Sequence, residues 1–133
     1  MPVDDEHALQ LATAALLLEV VRADRDIKEE EVKSVESAVT NMFGLTGEET
    51  GQLIALAEQE VEEATSLFQF TSLVDKHYPL EKKIDIVKLL WRVAFSDAHK
   101  DMHEEYLVRR IADLLHVPHL EFIRMRHIVE NEL

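Results

Sequence analysis

An all-α fold, a single domain of seven helices duplicated about two central buried ones, follows from three features of the sequence. Apolar residues recur at helical spacing along the whole chain. Only three Gly and three Pro interrupt that pattern. Two stretches are apolar almost all round, as helices covered on most sides are.

The helices are expected at about 4–23, 28–43, 47–63, 66–77, 79–96, 102–116 and 118–131. Asp4 or Asp5 caps the first, whose Leu11, Ala14, Ala15, Leu16, Leu17, Leu18, Val20 and Val21 leave little polar surface. The second carries one stripe, Val32, Val35, Val39 and Met42, against a charged face. Thr46 and Glu49 have capping-box spacing at the start of the third, with Gly44 and Gly47 in the turn before it and Gly51 inside it. The fourth and fifth are divided at Pro79, and the seventh begins at Pro118; Pro is tolerated in a first turn. The fifth holds Ile84, Ile86, Val87, Leu89, Leu90, Trp91, Val93 and Ala94, and reads as the second central helix. The sixth returns to one stripe, Leu107, Val108, Ile111, Leu114 and Leu115.

At 133 residues, 47% hydrophobic and 31% charged, the chain can bury a self-sufficient core. The absence of cysteine excludes disulfides, thiolate metal sites and cysteine nucleophiles. The apolar run from Ala8 to Leu18 is too short to cross a bilayer, and the acidic N-terminus carries no export signal, so a cytoplasmic protein is expected. Net charge is −13. Residues 1–63 hold 16 acids and 4 bases, residues 64–133 hold 11 acids and 10 bases. Such a surface repels nucleic acid and anionic lipid, and suits cations or basic protein partners.

The two central helices align at a fixed interval of 73 residues. Leu16, Leu17, Val20, Asp24 and Glu31 fall on Leu89, Leu90, Val93, Asp97 and Glu104. Leu11 pairs with Ile84, Val35 with Val108 and Met42 with Leu115. Both copies place an Asp after the buried helix and a Glu seven residues later, which marks a duplicated helix–acidic turn–helix unit related by a pseudo-twofold axis. The repeats span about 8–63 and 79–131.

The turns are the candidate site. Hard cations need several convergent oxygens, and Asp24, Asp26 and Glu31 are candidates to supply them in the first turn if Ile27 anchors the loop. The same acids serve equally well as helix starters against the dipole of the following helix. An EF-hand is excluded, because its loop would need Glu where Val35 stands. In the second turn Asp97, His99, Asp101 and His103 alternate ahead of Glu104, a mixed donor set suited to Zn²⁺, Ni²⁺ or Mn²⁺, with Lys100 counting against it. Arg92, Arg109 and Arg110 are alternative partners for these acids. His116 and His119 flank Val117-Pro118 as a ligand pair or as helix-end residues with a capping role, and Glu58, Glu60, Glu62 and Glu63 form a solvated face or a dock for a basic partner. No phosphate loop, nucleophile elbow or zinc-protease motif occurs, so no enzyme is expected.

At these residues the chain resembles the TerB-like family, named for a bacterial tellurite-resistance protein. Its repeats read roughly Ala-Asp-Gly-x-apolar, with Glu seven residues after the Asp. Ala23, Asp24, Ile27 and Glu31 match, with Arg25 in place of Gly. Asp97 and Glu104 match in the second copy, where Ser96, Ala98 and Lys100 depart. The segment from Leu107 to Val117 is similar to that of a bacterial branch of the family. The resemblance implies an all-helical duplication and a non-enzymatic module in a stress or metal response, working with a protein partner in a membrane-linked complex. It also implies a divalent cation, Ca, Mg, Mn or Zn, at the acidic turns; a side chain replacing each turn glycine resists the left-handed backbone that would let the loop wrap an ion. Two other readings stand beside this one: a structural module or homo-oligomer without metal, and a metal-dependent hydrolase using His99 and His103.

Overall fold

A computed structural model describes residues 3–23, 29–96 and 102–133, the side chains of residues 3–5, 102 and 103 apart. Seven helices and no strands occur among the described residues: α1 (Val3–Ala23), α2 (Glu29–Phe43), α3 (Gly47–Glu63), α4 (Phe68–His77), α5 (Leu80–Ala94), α6 (Met102–Leu114) and α7 (His119–Asn131). Each expected helix is present, with ends shifted by at most two residues; α1 already begins at Val3, so Asp4 and Asp5 lie inside its first turn rather than at its cap. The capping box forms as expected: Thr46 Oγ1 accepts from the Glu49 N–H at 3.1 Å, and the Thr46 N–H donates to Glu49 Oε1 at 2.9 Å.

The buried residues form one contiguous cluster centred on α1 and α5. α1 packs against α2, α3, α4, α5 and α6, and its residues Ala12 to Leu18, Val20 and Val21 are all buried. Thr13 lies within that run, and its hydroxyl donates to the Leu9 carbonyl at 2.8 Å, which satisfies a polar group in an apolar setting. α5 packs against α1, α2, α6 and α7. Trp91, 1% exposed, stacks on Phe95 with centroids 5.5 Å apart, and its indole N–H donates to the Phe122 carbonyl at 3.1 Å.

The contacts repeat with the sequence. α1 touches α2 and α3 as α5 touches α6 and α7, and each central helix also touches the second helix of the other unit. The two middle helices end alike. Gly44 (φ 65°) and His116 (φ 62°) take left-handed backbone after α2 and α6. The next residues close the same cap, Leu45 N–H to the Thr40 carbonyl at 3.2 Å and Val117 N–H to the Ala112 carbonyl at 3.0 Å. These ends lie 72 residues apart rather than 73, because the second unit is one residue shorter there, and α3 and α7 keep the new interval: Thr50, Leu53 and Ala57 fall on Phe122, Met125 and Val129, all six buried.

α4 breaks the correspondence. It links the units and lies across α1 and α6, burying Phe70, Thr71 and Val74, with no counterpart over α5 and α2 among the described residues. This corrects the expectation that α5 is apolar almost all round. Asp85, Lys88 and Arg92 form a polar stripe that faces Ser34, Ser37 and Asn41 of α2 across an open groove of about 320 Å³. Asp75 of α4 clamps the joint: Lys83 Nζ donates to its Oδ1 at 2.6 Å, and His116 Nδ1 lies 3.0 Å from the same oxygen.

Candidate functional site

α2 begins on Glu29, Glu30 and Glu31, and α6 has Glu104 and Glu105 in its first turn. Acids are favoured there because the unsatisfied N–H groups carry partial positive charge. That argument suffices for Glu29 and Glu30, which are exposed, Glu29 lying 3.6 Å from Lys33 one turn on. It does not explain Glu31 and Glu104, whose residues are 0% and 1% exposed. Both are third in their helices. At helical period Glu31 shares a face with Val35 and Ala38, and Glu104 shares one with Val108 and Ile111, all four buried. The core stripe of each helix therefore terminates in a carboxylate at the end next to the acidic turn. A buried carboxylate costs several kcal/mol unless hydrogen bonds or positive charge compensate it.

Of the eight predicted ligands, Glu31 and Glu104 are thus placed inside the fold, at matching positions of the two units. Asp24, Asp26, Asp97, His99 and Asp101 lie outside the described residues, and His103 is the second residue of α6, its side chain not described. Among the described residues, no three of His, Asp and Glu gather in a group that could hold a metal ion. Carboxylate oxygen is the donor that hard cations take.

The turn acids weighed as arginine partners lie outside the described residues, apart from Glu31 and Glu104. Arg92 forms a two-pronged pair with Glu132, Nη2 to Oε2 at 2.8 Å and Nε to Oε1 at 3.0 Å, tying α5 to the end of α7. This pairing holds the Glu132 carboxyl below its usual range. Arg109 and Arg110 are exposed. Arg126 of α7, which sequence reasoning did not single out, pairs with Glu105 at 2.8 Å and Glu130 at 3.6 Å while its guanidinium lies 5.3 Å from the Trp91 ring centroid. His116 serves as a helix-end residue bonded to Asp75, and His119 packs on Phe122 at 5.5 Å.

Glu19 was also missed. It lies on α1, half-buried, beside a shallow cleft of about 380 Å³ lined by Arg22, Ala23, Val61, Glu62, Ala64 and Leu107. Burial pushes its carboxyl up from the usual range, and Arg22 opposes the shift. The available signal was a lone acid inside the apolar run from Leu11 to Val21.

No helix among the described residues is long and apolar enough to cross a membrane. The family described as tellurite resistance protein TerB matches the chain over residues 10–127. No curated protein and no solved structure matches it.

Proposed function

The chain belongs to the TerB family, and from that premise we propose a non-enzymatic, cytoplasmic, partner-binding module whose acidic turns hold divalent cations and which acts in a bacterial stress or metal response. The carrying observation is the full burial of Glu31 and Glu104. Two units that have diverged at most other positions both retain a carboxylate where an alkyl side chain would pack at lower cost. A cation seated at each turn would place positive charge beside these carboxylates. Glu31 with Asp24 and Asp26, and Glu104 with Asp97 and Asp101, would hold it, and His99 and His103 would bias the second turn toward a transition metal. The ion would supply fixed positive charge at the mouth of each turn, and the backbone around it would become a stable surface for a partner.

Thermal melts after chelation, repeated with Ca²⁺, Mg²⁺, Mn²⁺ and Zn²⁺, test this reading. An ion that binds only the folded state adds about 2.7 kcal/mol at a hundredfold excess over Kd. That gain should disappear in Glu31→Gln/Glu104→Gln and in Asp24→Asn/Asp97→Asn. No gain with any ion rejects the cation. The alternative, a homo-oligomer or structural module without metal, draws on exposed aromatic surface at Phe68 and Tyr106, 64% and 66% exposed on the adjoining helices α4 and α6. Light scattering that finds a strict monomer removes the oligomer.

A further inference from the structure

The two units differ most in how they fill the space between the end of the central helix and the two helices after it. In the second unit Trp91 fills it, with Phe95 stacked on one side and the Arg126 guanidinium on its ring, held by Glu105 and Glu130. The corresponding residues of the first unit are Leu18 for Trp91, Arg22 for Phe95, Val32 for Glu105, Ile54 for Arg126 and Glu58 for Glu130. An indole has become an isobutyl group and a guanidinium a sec-butyl group on the same helical framework. What remains is a cavity of about 280 Å³, walled by Leu18, Val21, Val32, Ile54 and Val61, with Arg22, Glu58 and Glu62 also lining it. It opens to solvent past Arg22, Glu58 and Glu62, and its volume falls just short of the roughly 300 Å³ at which small-molecule sites begin. It is the size of a side chain rather than of a cofactor.

The rim selects the charge of the visitor. Glu58 and Glu62, one turn apart on α3, outnumber Arg22, and no described cation lies within ion-pair distance of either acid. Glu60 and Glu63 extend the same acidic helix, in the half of the chain that carries 16 acids against 4 bases. In the second unit the acid corresponding to Glu58 helps to hold a guanidinium over an aromatic ring; in the first unit the acid remains while both the ring and the guanidinium are gone. We propose that the cavity between α1, α2 and α3 is a docking site for a partner polypeptide that inserts an aromatic side chain flanked by lysine or arginine. This rests on the reading of the chain as a partner-binding module, but not on its cation.

The test is a methyl NMR titration of the full chain in chelator, with acetylated, amidated Lys-Trp-Lys as the probe. Its failure is thereby separated from that of the cation, which the melts read. Saturable shifts at Leu18, Val21, Val32, Ile54 and Val61 are expected, with affinity roughly tenfold weaker for Lys-Ala-Lys and for Glu-Trp-Glu. Glu58→Gln/Glu62→Gln should weaken Lys-Trp-Lys several-fold. Ile54→Trp, or Leu18→Phe if the first does not fold, should fill the space and abolish the shifts. Equal binding of Lys-Ala-Lys would mean adsorption to acidic surface, and equal binding of Glu-Trp-Glu would mean unselective apolar contact; either overturns the proposal. So does the absence of saturable shifts, or binding that survives a folded, cavity-filled variant.

Discussion

The first unit (α1 to α3) and the second (α5 to α7) share helix order, contacts and cap geometry, yet they settle the same packing problem differently. The second is close to charge balance and completes its interior with Trp91, Phe95 and Arg126. The first is strongly acidic, fills the corresponding space with smaller side chains and retains a cavity. The carboxylates at Glu31 and Glu104 are equally buried in both. Backbone geometry and the inward glutamates belong to the scaffold, whereas the flanks of each unit have specialised.

Truncating the aromatic anchor should break this comparison most severely. Trp91→Ala removes a fully buried indole and its hydrogen bond to Phe122, and a loss of about 3–5 kcal/mol is expected in urea denaturation. Leu18→Ala, at the corresponding site beside an existing cavity, should cost near the lower end of the 2–5 kcal/mol range for such changes, about 2 kcal/mol. Equal losses would mean that the two interiors are packed alike.

The matched helix ends provide a smaller contrast. Gly44→Ala places a side chain on left-handed backbone and should cost about 1–2 kcal/mol. The His116 position already bears that strain and gains the contact with Asp75, so His116→Gly should change stability by less than Gly44→Ala does. Gly51→Ala should have the opposite sign. The residue lies in a regular turn of α3, nothing lies within 4 Å of the position a methyl would take, and a gain of about 0.5–1 kcal/mol is expected in thermal melts.

The smallest effect concerns pH at the joint between the units. Hydrogen bonds from Lys83 and His116 hold the Asp75 carboxyl below its usual range. A carboxyl whose folded value is depressed adds stability above its unfolded value, about 3.9, and loses it as pH falls through the folded value. Asp75→Asn should therefore flatten the acid limb of the stability profile below about pH 4.

Much of this was legible beforehand. Apolar periodicity locates every helix of the described residues, Thr46 and Glu49 announce their capping box, and the 73-residue interval pairs Glu31 with Glu104. Periodicity reports which residues lie on one face of a helix, and it did so correctly for α1. It misjudged α5, because Asp85, Lys88 and Arg92 line an open groove against α2 rather than a packed interface. Arg126 escaped notice because its partners, Trp91, Glu105 and Glu130, come from three helices. Glu19 escaped because a single acid in an apolar run gives no indication of how deeply it is buried.

Local rules are written in neighbouring residues, so the chain by itself determined its helices, the Thr46 capping box, its duplication and its charge imbalance. Which face of each helix is covered depends on residues far away in the chain. The asymmetric placement of α4, the inward turn of two glutamates and the cavity left where an indole sits in the other unit were consequently decided by packing alone.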